Sequence, residues 1–394
     1  MNSNSVFSII FILTFIGSLF SYKCFSQEND FVNRAEITIG PDAVLSAKGN
    51  VLNEGTLHNS GKIYVNNNFI NQGIFNAQSG SIVIHGDTDQ SIDFKKDTIH
   101  EIEVNGVGHK YFRGQVFVNN SLKLLKGIVR PDTGARLILS DAIIIEGGDE
   151  ESYVEGILFH EGTTDKFYPI GINGMYSPVY LSNILGNNPV LGFEIHQPNS
   201  FTNESKELKK ISTQYYWEKF IIGGNLDSAT LTLNYQPDES LLPKQIQDLV
   251  VAGLDETIGF RNLGGSHEGD LTSALITSQI RISDESFFTL GIPSTDITLF
   301  IPNALSPLAP HPEDQVVKVF VNRLIPDDFH FKVFDHRGII VFYSNSFHQM
   351  NEEGWDGINI HSGKYLSPGV YHYVIQGTVY GDKFSKAGKV TVIR

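Results

Sequence analysis

The chain has 394 residues, and its 29 Lys and Arg stand against 44 Asp and Glu, which gives a formal net charge of −15. This acidic balance argues against nucleic acid as a partner, because phosphate binding requires a basic face. A single cysteine excludes a disulfide scaffold and any zinc or iron–sulfur site built from several cysteines. Hydrophobic residues make up 41% of the chain, enough for folded cores, and the length favours two to four domains.

The first segment is typical of a secretory leader. Residues 6–20 read VFSIIFILTFIGSLF and carry no charge, a run that suits a signal-peptide core and is short for a membrane span. Small residues at Cys24 and Ser26 predict a signal peptide over residues 1–26 that is cleaved between Ser26 and Gln27. The alternatives are a retained anchor and a lipid on Cys24. The main interpretation predicts a secreted protein.

An Asn-x-Gly pattern follows, at Asn53/Gly55, Asn59/Gly61 and Asn71/Gly73. Asn and Gly suit tight corners because both tolerate left-handed backbone, and Asn side chains can stack between coils. Stacked coils bury a continuous core that a single repeat cannot bury. We therefore expect a β-helix-like module over residues 27–199, a right-handed parallel β-helix or a related β-roll. An antiparallel meander with Asn-Gly hairpins is the alternative.

The end of this region carries two further short motifs. They are Ser152-Tyr153-Val154-Glu155-Gly156 and Tyr168-Pro169-Ile170-Gly171. With the repeats before them, they give residues 50–195 a resemblance to a β-repeat module of secreted Bacteroidota proteins. The resemblance implies a structural module with no known chemistry.

Residues 200–295 predict a separate β-sandwich domain. The segment Leu231–Tyr235 alternates between apolar and polar residues, and strand-like runs recur with polar turns between them. We expect Trp217 to pack in the core. The alternative is a carbohydrate-binding platform built from Trp217 with Tyr215 and Tyr216.

Five short sequence elements follow one another over residues 296–394. They read IPNALSP at 301–307, FKVFDHRG at 331–338, GWDG at 354–357, LSPGVYHY at 366–373 and VTVIR at 390–394. The motif residues that we single out are Ile301, Pro302, Asn303, Ser306, Pro307, Phe334, Gly338, Gly354, Trp355, Asp356, Gly357, Gly369, Tyr371 and Arg394.

On these residues the segment resembles the gliding motility-associated C-terminal domain, the type B sorting domain of the Bacteroidota type IX secretion system. Residues 308–314 depart from the family, which usually has an acidic loop there. The resemblance implies export by the type IX machinery, an association with a PorP/SprF-like outer-membrane protein and a location at the cell surface or outside the cell.

The residues themselves predict an Ig-like β-sandwich in this segment, because its strands are largely alternating and punctuated by Gly, Pro and Asn. We expect Trp355 to fold the Gly354–Gly357 turn onto the sheet and Asp356 to cap that turn. An exposed terminal strand would offer backbone groups for strand addition by a partner.

No catalytic motif emerges from the rest of the sequence. The thirteen His residues have no metal-ligand spacing, and we expect the pairs His160-Glu161 and His267-Glu268 to lie on the surface. Asp87-Thr88-Asp89 and Asp149-Glu150-Glu151 read as acidic turns, with Ca²⁺ binding as the alternative. We expect no catalytic residues and no other cofactor.

The sequence therefore predicts an all-β fold, with β-helix-like or β-roll-like repeats followed by two β-sandwich (Ig-like) domains. The expected function is that of a non-enzymatic structural or adhesion protein at the cell surface. The alternative is a carbohydrate-binding or polysaccharide-degrading protein built on residues 27–295.

Overall fold

The computed structural model describes residues 24–27, 30–202, 207–255, 257, 259–294, 299–321, 326–379 and 382–393. The predicted apolar core of the leader, residues 6–20, lies outside these ranges. The described chain is nearly all β, as predicted, and it forms two compact units, Met1–Ile292 and Pro293–Arg394. None of the helices in the described ranges is long and apolar enough to span a membrane.

The first unit begins with thirteen strands that wind through successive coils. They are β1 (Cys24–Gln27), β2 (Phe31–Asn33), β3 (Glu36–Ile39), β4 (Val44–Ala47), β5 (Val51–Asn53), β6 (Thr56–Asn59), β7 (Lys62–Val65), β8 (Phe69–Asn71), β9 (Ile74–Ile84), β10 (Gln90–Pro131), β11 (Arg136–Leu139), β12 (Ile144–Gly147) and β13 (Leu158–Glu161). The long segment β10 continues through more than one coil, because different parts of it pair with β8, β9, β11 and β12.

The coils stack in parallel. β5 pairs with β2 and β8, β6 pairs with β3 and β9, and β7 pairs with β4 and β9, all in parallel register. A meander of hairpins would give antiparallel pairs, so that alternative is wrong and the predicted β-solenoid is confirmed. Alternate residues such as Val51, Leu57 and Ile63 point inward and are fully buried.

A ladder of asparagines links the coils at one buried corner. The Nδ2 of Asn33 donates to Asn53 Oδ1 at 2.8 Å, and Asn53 Nδ2 donates to Asn71 Oδ1 at 2.8 Å. Asn71 Nδ2 then donates to Asp97 Oδ2 at 2.6 Å, where the acceptor-only carboxylate ends the series. Partial burial raises the pKa of Asp97, while the bond from Asn71 opposes that rise. The predicted stacking of Asn on Asn is confirmed, with Asn59 serving a different corner.

The glycines of the repeat allow the coils to approach one another closely. A Cβ on Gly73 would lie 1.9 Å from the carbonyl oxygen of Gly55, and one on Gly55 would lie 2.2 Å from that of Ala35. Neither these two glycines nor Gly61 has positive φ. The expectation of left-handed backbone at these corners is therefore wrong, and the coil spacing is what excludes a side chain.

The rest of the first unit is an antiparallel assembly. Its strands are β14 (Lys166–Tyr168), β15 (Gly171–Ile172), β16 (Met175–Tyr176), β17 (Val179–His196), β18 (Leu208–Ile211), β19 (Tyr216–Tyr235), β20 (Val250–Asp255), β21 (Gly259–Asn262), β22 (Ser266–Gly269), β23 (Ala274–Thr277) and β24 (Phe287–Pro293), with a 3₁₀ turn at Ile246–Asp248. β17 and β19 pair from His196↔Tyr216 to Val179↔Leu233.

β13 joins the solenoid to this assembly. It pairs in parallel with β11 on one side and antiparallel with β17 on the other. One apolar core continues through both parts and includes Leu139, Phe193 and Leu231. The domain boundary predicted at residues 199/200 thus falls inside one compact unit, in the segment between β17 and β19, which pair with each other.

The second unit contains β25 (Leu299–Phe300), β26 (Ala304–Leu305), β27 (Phe320–Val321), β28 (Asp327–Phe334), β29 (Ile340–Ser344), α1 (Phe347–Glu352), β30 (Gly369–Val379) and β31 (Asp382–Val392), with a 3₁₀ turn at Pro312–Asp314. A five-stranded sheet has the order β26-β31-β30-β28-β29, and β25 pairs with β27. Phe331, Trp355 and Ile375 are fully buried in the hydrophobic core of this second unit.

Gly73 tests the close approach of the coils. We expect Gly73→Ala to lower the free energy of unfolding of the first unit by about 3 kcal/mol, because the added methyl meets a backbone oxygen. Urea titration measures this change. Gly40→Ala is the matched control, since no atom lies within 4 Å of the added Cβ, and it should cost less than about 0.5 kcal/mol. Similar losses in both variants would contradict the explanation.

His160 on the junction strand β13 gives the first unit a predicted pH dependence. The side chain is 2% exposed, and burial lowers its pKa to about 3, while the unfolded chain keeps a value near 6.5. The unfolded state therefore binds the additional proton, so stability falls as pH drops below about 6.5, by about 1.4 kcal/mol per unit.

Denaturant titrations between pH 7 and pH 5 measure this loss. The control is His160→Phe, which cannot take up the proton, so its stability should fall by less over the same pH range. An equal fall in the two proteins would show that other groups cause the pH dependence.

Candidate functional site

The opening and closing motifs of the second unit lie side by side. Ala304 and Leu305 of β26 pair in parallel with Thr391 and Val392 of β31. Thr391 N donates to Asn303 O at 2.8 Å, and Ile393 N donates to Leu305 O at 2.8 Å. Two motifs that the sequence separates by more than eighty residues thus form one short piece of sheet.

The GWDG turn packs beneath these strands. Trp355 is fully buried, its backbone exchanges hydrogen bonds with Val317, and its Nε1 donates to Ile358 O at 3.1 Å. Asp356 Oδ1 accepts from Ile358 N at 3.0 Å. Both expected local roles are therefore present: the indole anchors the turn, and the carboxylate caps it.

Gly357 closes this turn against the first motif. Its φ is +82°, and a Cβ there would lie 2.9 Å from Leu305 Cδ1 and 3.3 Å from Pro307 Cγ. Tyr371, whose hydroxyl donates to Ser367 O at 2.9 Å, places its ring 6.5 Å from that of Trp355. The structure thus brings residues from four of the five elements into one cluster. The closing strand is the fourth of these, and it contributes Val392 beside Leu305.

The remaining element forms the β28–β29 turn. Asp335 Oδ1 accepts from Arg337 N and Ile339 N, both at 2.9 Å, and Gly338 has a φ of +80°. The bond from Ile339 lowers the pKa of Asp335, and Arg337 contributes to the lowering. Gly338 therefore shapes this turn, while Phe334 pairs with Ile340 of β29 and His372 of β30.

The other predicted residues occupy simpler positions. Ser306 N donates to Asp314 O at 2.8 Å, which ties the end of the 308–314 segment to the opening motif. Ile301 and Pro302 precede β26 and are partly exposed, Gly369 begins β30, and Arg394 lies outside the described residues.

The predicted cleavage bond lies within β1. Ser26 and Gln27 pair through their backbone with Ser46 and Ala47 of β4. Their side chains are outside the described part, and the cleavage site itself stays a prediction.

The acidic turn at Asp87–Asp89 holds a cation that belongs to the chain. The Lys110 ammonium is fully buried and donates to the carbonyl oxygens of Gly86, Thr88 and Val107 at 2.7, 2.9 and 2.7 Å. Burial lowers the pKa of Lys110 to about 8, while the three carbonyls favour its charged form. The carboxylates of Asp87 and Asp89, on which the Ca²⁺ alternative rests, act electrostatically on this ammonium.

The second acidic turn is closed by its own backbone. Asp149 Oδ1 accepts from Glu151 N at 2.8 Å, and Asp149 and Ser152 exchange backbone hydrogen bonds. Over the described ranges, no group of three or more His, Cys, Asp or Glu side chains is arranged to hold a metal.

One expectation and one alternative about side chains in the first unit are wrong. His160 is buried on β13, where its Nε2 donates to Phe167 O at 2.9 Å, so it is not a surface histidine. Trp217 is fully buried and Tyr215 is 1% exposed, so they cannot form a carbohydrate platform. The core position expected for Trp217 is confirmed, with its Nε1 donating to Ser177 O at 3.3 Å.

The sequence analysis missed a polar cleft in the first unit. Its volume is about 340 Å³, and its wall includes Tyr111, Arg130, Glu155 and Glu194. Arg130 Nη2 donates to Glu155 Oε1 at 2.8 Å. Although burial opposes it, the bonds to Glu155 and Tyr111 raise the pKa of Arg130.

Glu194 is the least compensated group in the cleft. Burial raises its pKa, Glu218 directly across the β17–β19 pair raises it further, and His196 opposes the rise. Alternation along β17 places Glu194 and His196 on one face. The register that sets Glu194 opposite Glu218 had no signal in the sequence, because bulges shift it several times.

Comparisons with known proteins identify no relative. No family model, no curated protein and no solved structure matches the chain. The resemblance of residues 296–394 therefore rests on the motif residues alone, and the function has to be argued from geometry.

Gly357 tests the contact between the GWDG turn and the opening motif. We expect Gly357→Ala to destabilise the second unit by about 3 kcal/mol, from positive φ and from contact with Leu305. Gly338→Ala is the matched control, since its φ is also near +80° but its added Cβ meets nothing within 4 Å, and it should cost about 1 kcal/mol. Hydrogen exchange of peptides from β31 gives both values. Equal costs would mean that backbone strain alone is responsible.

Proposed function

We propose that the protein is a non-enzymatic structural or adhesion protein, exported to the cell surface or the extracellular space, whose second unit directs export through the type IX machinery. The observation that supports this proposal most is the meeting of separate motifs in one folded unit. Leu305 comes from the opening motif, and Gly357 and Trp355 come from the GWDG turn, yet they pack together beside the closing strand. A partner that recognises such a unit would recognise a folded surface.

The closing strand is where we place recognition by the machinery. β31 pairs with β30 along its length, whereas β26 covers only Thr391 and Val392 on the opposite edge. Strand addition next to β26 would extend the five-stranded sheet through main-chain hydrogen bonds. We propose a PorP/SprF-like outer-membrane protein as the partner that retains the exported chain at the surface.

The first unit would then be what is displayed. Outward positions on neighbouring coils carry polar side chains, as in the row Thr38, His58 and Asn76. Asn76 Nδ2 lies 3.3 Å from His58 Nδ1, so adjacent coils also bond across the surface. A surface of this kind suits weak contacts repeated many times, in which avidity supplies the strength. Carbohydrate binding is a second candidate function, and the polar cleft favours it.

Export can be tested by comparing the full chain with a chain that lacks residues 293–394. Both carry the same internal epitope tag and are expressed in a type IX-competent bacterium and in its exporter-deficient derivative. We expect only the full chain in the competent strain to reach the surface or the medium, while the truncated chain stays in the periplasm. Periplasmic retention of the full chain in both strains, or export of the truncated chain, would contradict the proposal.

A further inference from the structure

The polar cleft lies where the solenoid coils meet the antiparallel strands. Tyr111, Arg130 and Asp132 come from the coils, and Glu155 lies between β12 and β13. Ile172 comes from the β15–β16 hairpin, and Glu194 lies on β17. All of these belong to the first unit, and one hydrophobic core supports them. A concave junction between two kinds of sheet is a common place for a ligand site.

Several polar groups of the cleft are already held in position. The Arg130–Glu155 ion pair has side chains that are 34% and 16% exposed, and Asp132 Oδ2 accepts from Arg113 Nε at 2.8 Å. A guanidinium has five donors, and the bonds to Glu155 and Tyr111 do not use all of them. Polar groups that are fixed before binding lose little entropy when a ligand arrives.

Glu194 brings a carboxylate that has not found a donor. In the described part of the chain no hydrogen bond reaches it, and its charged neighbour is His196, whose Nε2 lies 3.7 Å from Oε2. His196 Nε2 lies closer to Glu218 Oε2, at 3.0 Å. Like charges directly opposite each other on paired strands are unfavourable. A ligand that donates to Glu194 would satisfy this partly buried group.

The balance of charge selects the class of ligand. An anion would meet the Glu194 carboxylate, while a cation would find two of the three carboxylates already bonded to guanidinium groups, Asp132 to Arg113 and Glu155 to Arg130. A hydroxyl group both donates and accepts, so a neutral polyol can bond to the guanidinium and the carboxylates together. The Tyr111 ring and the Ile172 side chain add apolar wall, against which the C–H face of a sugar ring packs.

We infer that this cleft binds a neutral sugar residue of a glycan, with Arg130 as donor and Glu155 and Glu194 as acceptors. The inference deepens the adhesive part of the proposed function and names its ligand class. At about 340 Å³, the cleft is near the lower limit of ligand sites and suits one or two sugar rings. Single contacts of this size are weak and gain strength through repetition on a surface.

The test uses the purified full chain and defined oligosaccharides. Neutral glucan, mannan, galactan and xylan oligomers are titrated by calorimetry beside a polyuronate and a chitosan oligomer. We expect at least one neutral series to bind and both charged series to bind at least tenfold more weakly. Glu194→Gln should lower affinity for the neutral ligand about tenfold, because it removes a charged acceptor. Tyr111→Ala should lower it as well.

Glu218→Gln is the matched control. It relieves the same repulsion between opposed carboxylates as Glu194→Gln does, but Glu218 does not line the cleft. Affinity should stay within about twofold of the parent, and neither glutamine variant should melt below it. Equal losses in the two variants, binding of a charged series only, or the absence of any neutral binder would each overturn the inference. Because binding is measured without export, failure here leaves the sorting proposal standing, and a failed export test leaves the cleft unaffected.

Discussion

The first unit depends on the contact between one coil and the next. Backbone approaches backbone so closely at Gly55 and Gly73 that a single methyl group does not fit. At the neighbouring corner, the buried amide of Asn33 donates to that of Asn53, which in turn donates to that of Asn71. A buried amide without a partner costs about 1–3 kcal/mol, so each coil needs the next one in register. Because each coil must stay in register with the next, this weakly apolar and Asn-rich sequence forms an ordered stack.

The asparagine ladder ends at Asp97, whereas the stack of parallel coils continues as far as β13. Asp97 receives the last amide of the ladder and, as a carboxylate, passes nothing on. β13 accepts a parallel partner on one edge and the antiparallel β17 on the other. The change of direction stops further coils from adding at that edge. The concave junction lies beside this change of direction, and its wall includes Arg130, Glu155 and Glu194.

Local sequence predicted the class of fold and the buried rows, because both follow from short-range patterns. Asn53/Gly55 and Asn71/Gly73 mark equivalent corners, which is why the Asn stacking could be foreseen. The reason for the glycines could not, since it concerns the distance to another coil and not the local φ. In the second unit, the roles of Trp355 and Asp356 were predictable because each is set within a four-residue turn.

The cleft and the buried titratable groups escaped prediction for a different reason. Glu194 meets Glu218 through a register that several bulges shift, and such shifts leave no mark in a single sequence. His160 looked like half of an exposed pair, but its ring packs against that of Tyr168, with the centroids 4.7 Å apart, and its Nε2 donates to Phe167 O. Periodicity indicates which residues share a face of one strand, whereas tertiary packing decides what covers that face.

Buried lysines show how this acidic chain fixes its own loops. Lys110 donates to three carbonyl oxygens at one corner of the solenoid, and Lys166, 3% exposed, donates to Asp141 O at 2.8 Å and to Thr164 Oγ1 at 2.7 Å. Lys219 of β19, 4% exposed, donates to Ser283 O in the loop before β24. Burial lowers the pKa of all three ammonium groups, so charge is held there at a cost in desolvation. Loop carbonyls and hydroxyls, together with the Asp141 carboxylate beside Lys166, offset that cost. Each ammonium therefore links a strand to a loop that backbone pairing alone would not hold in place.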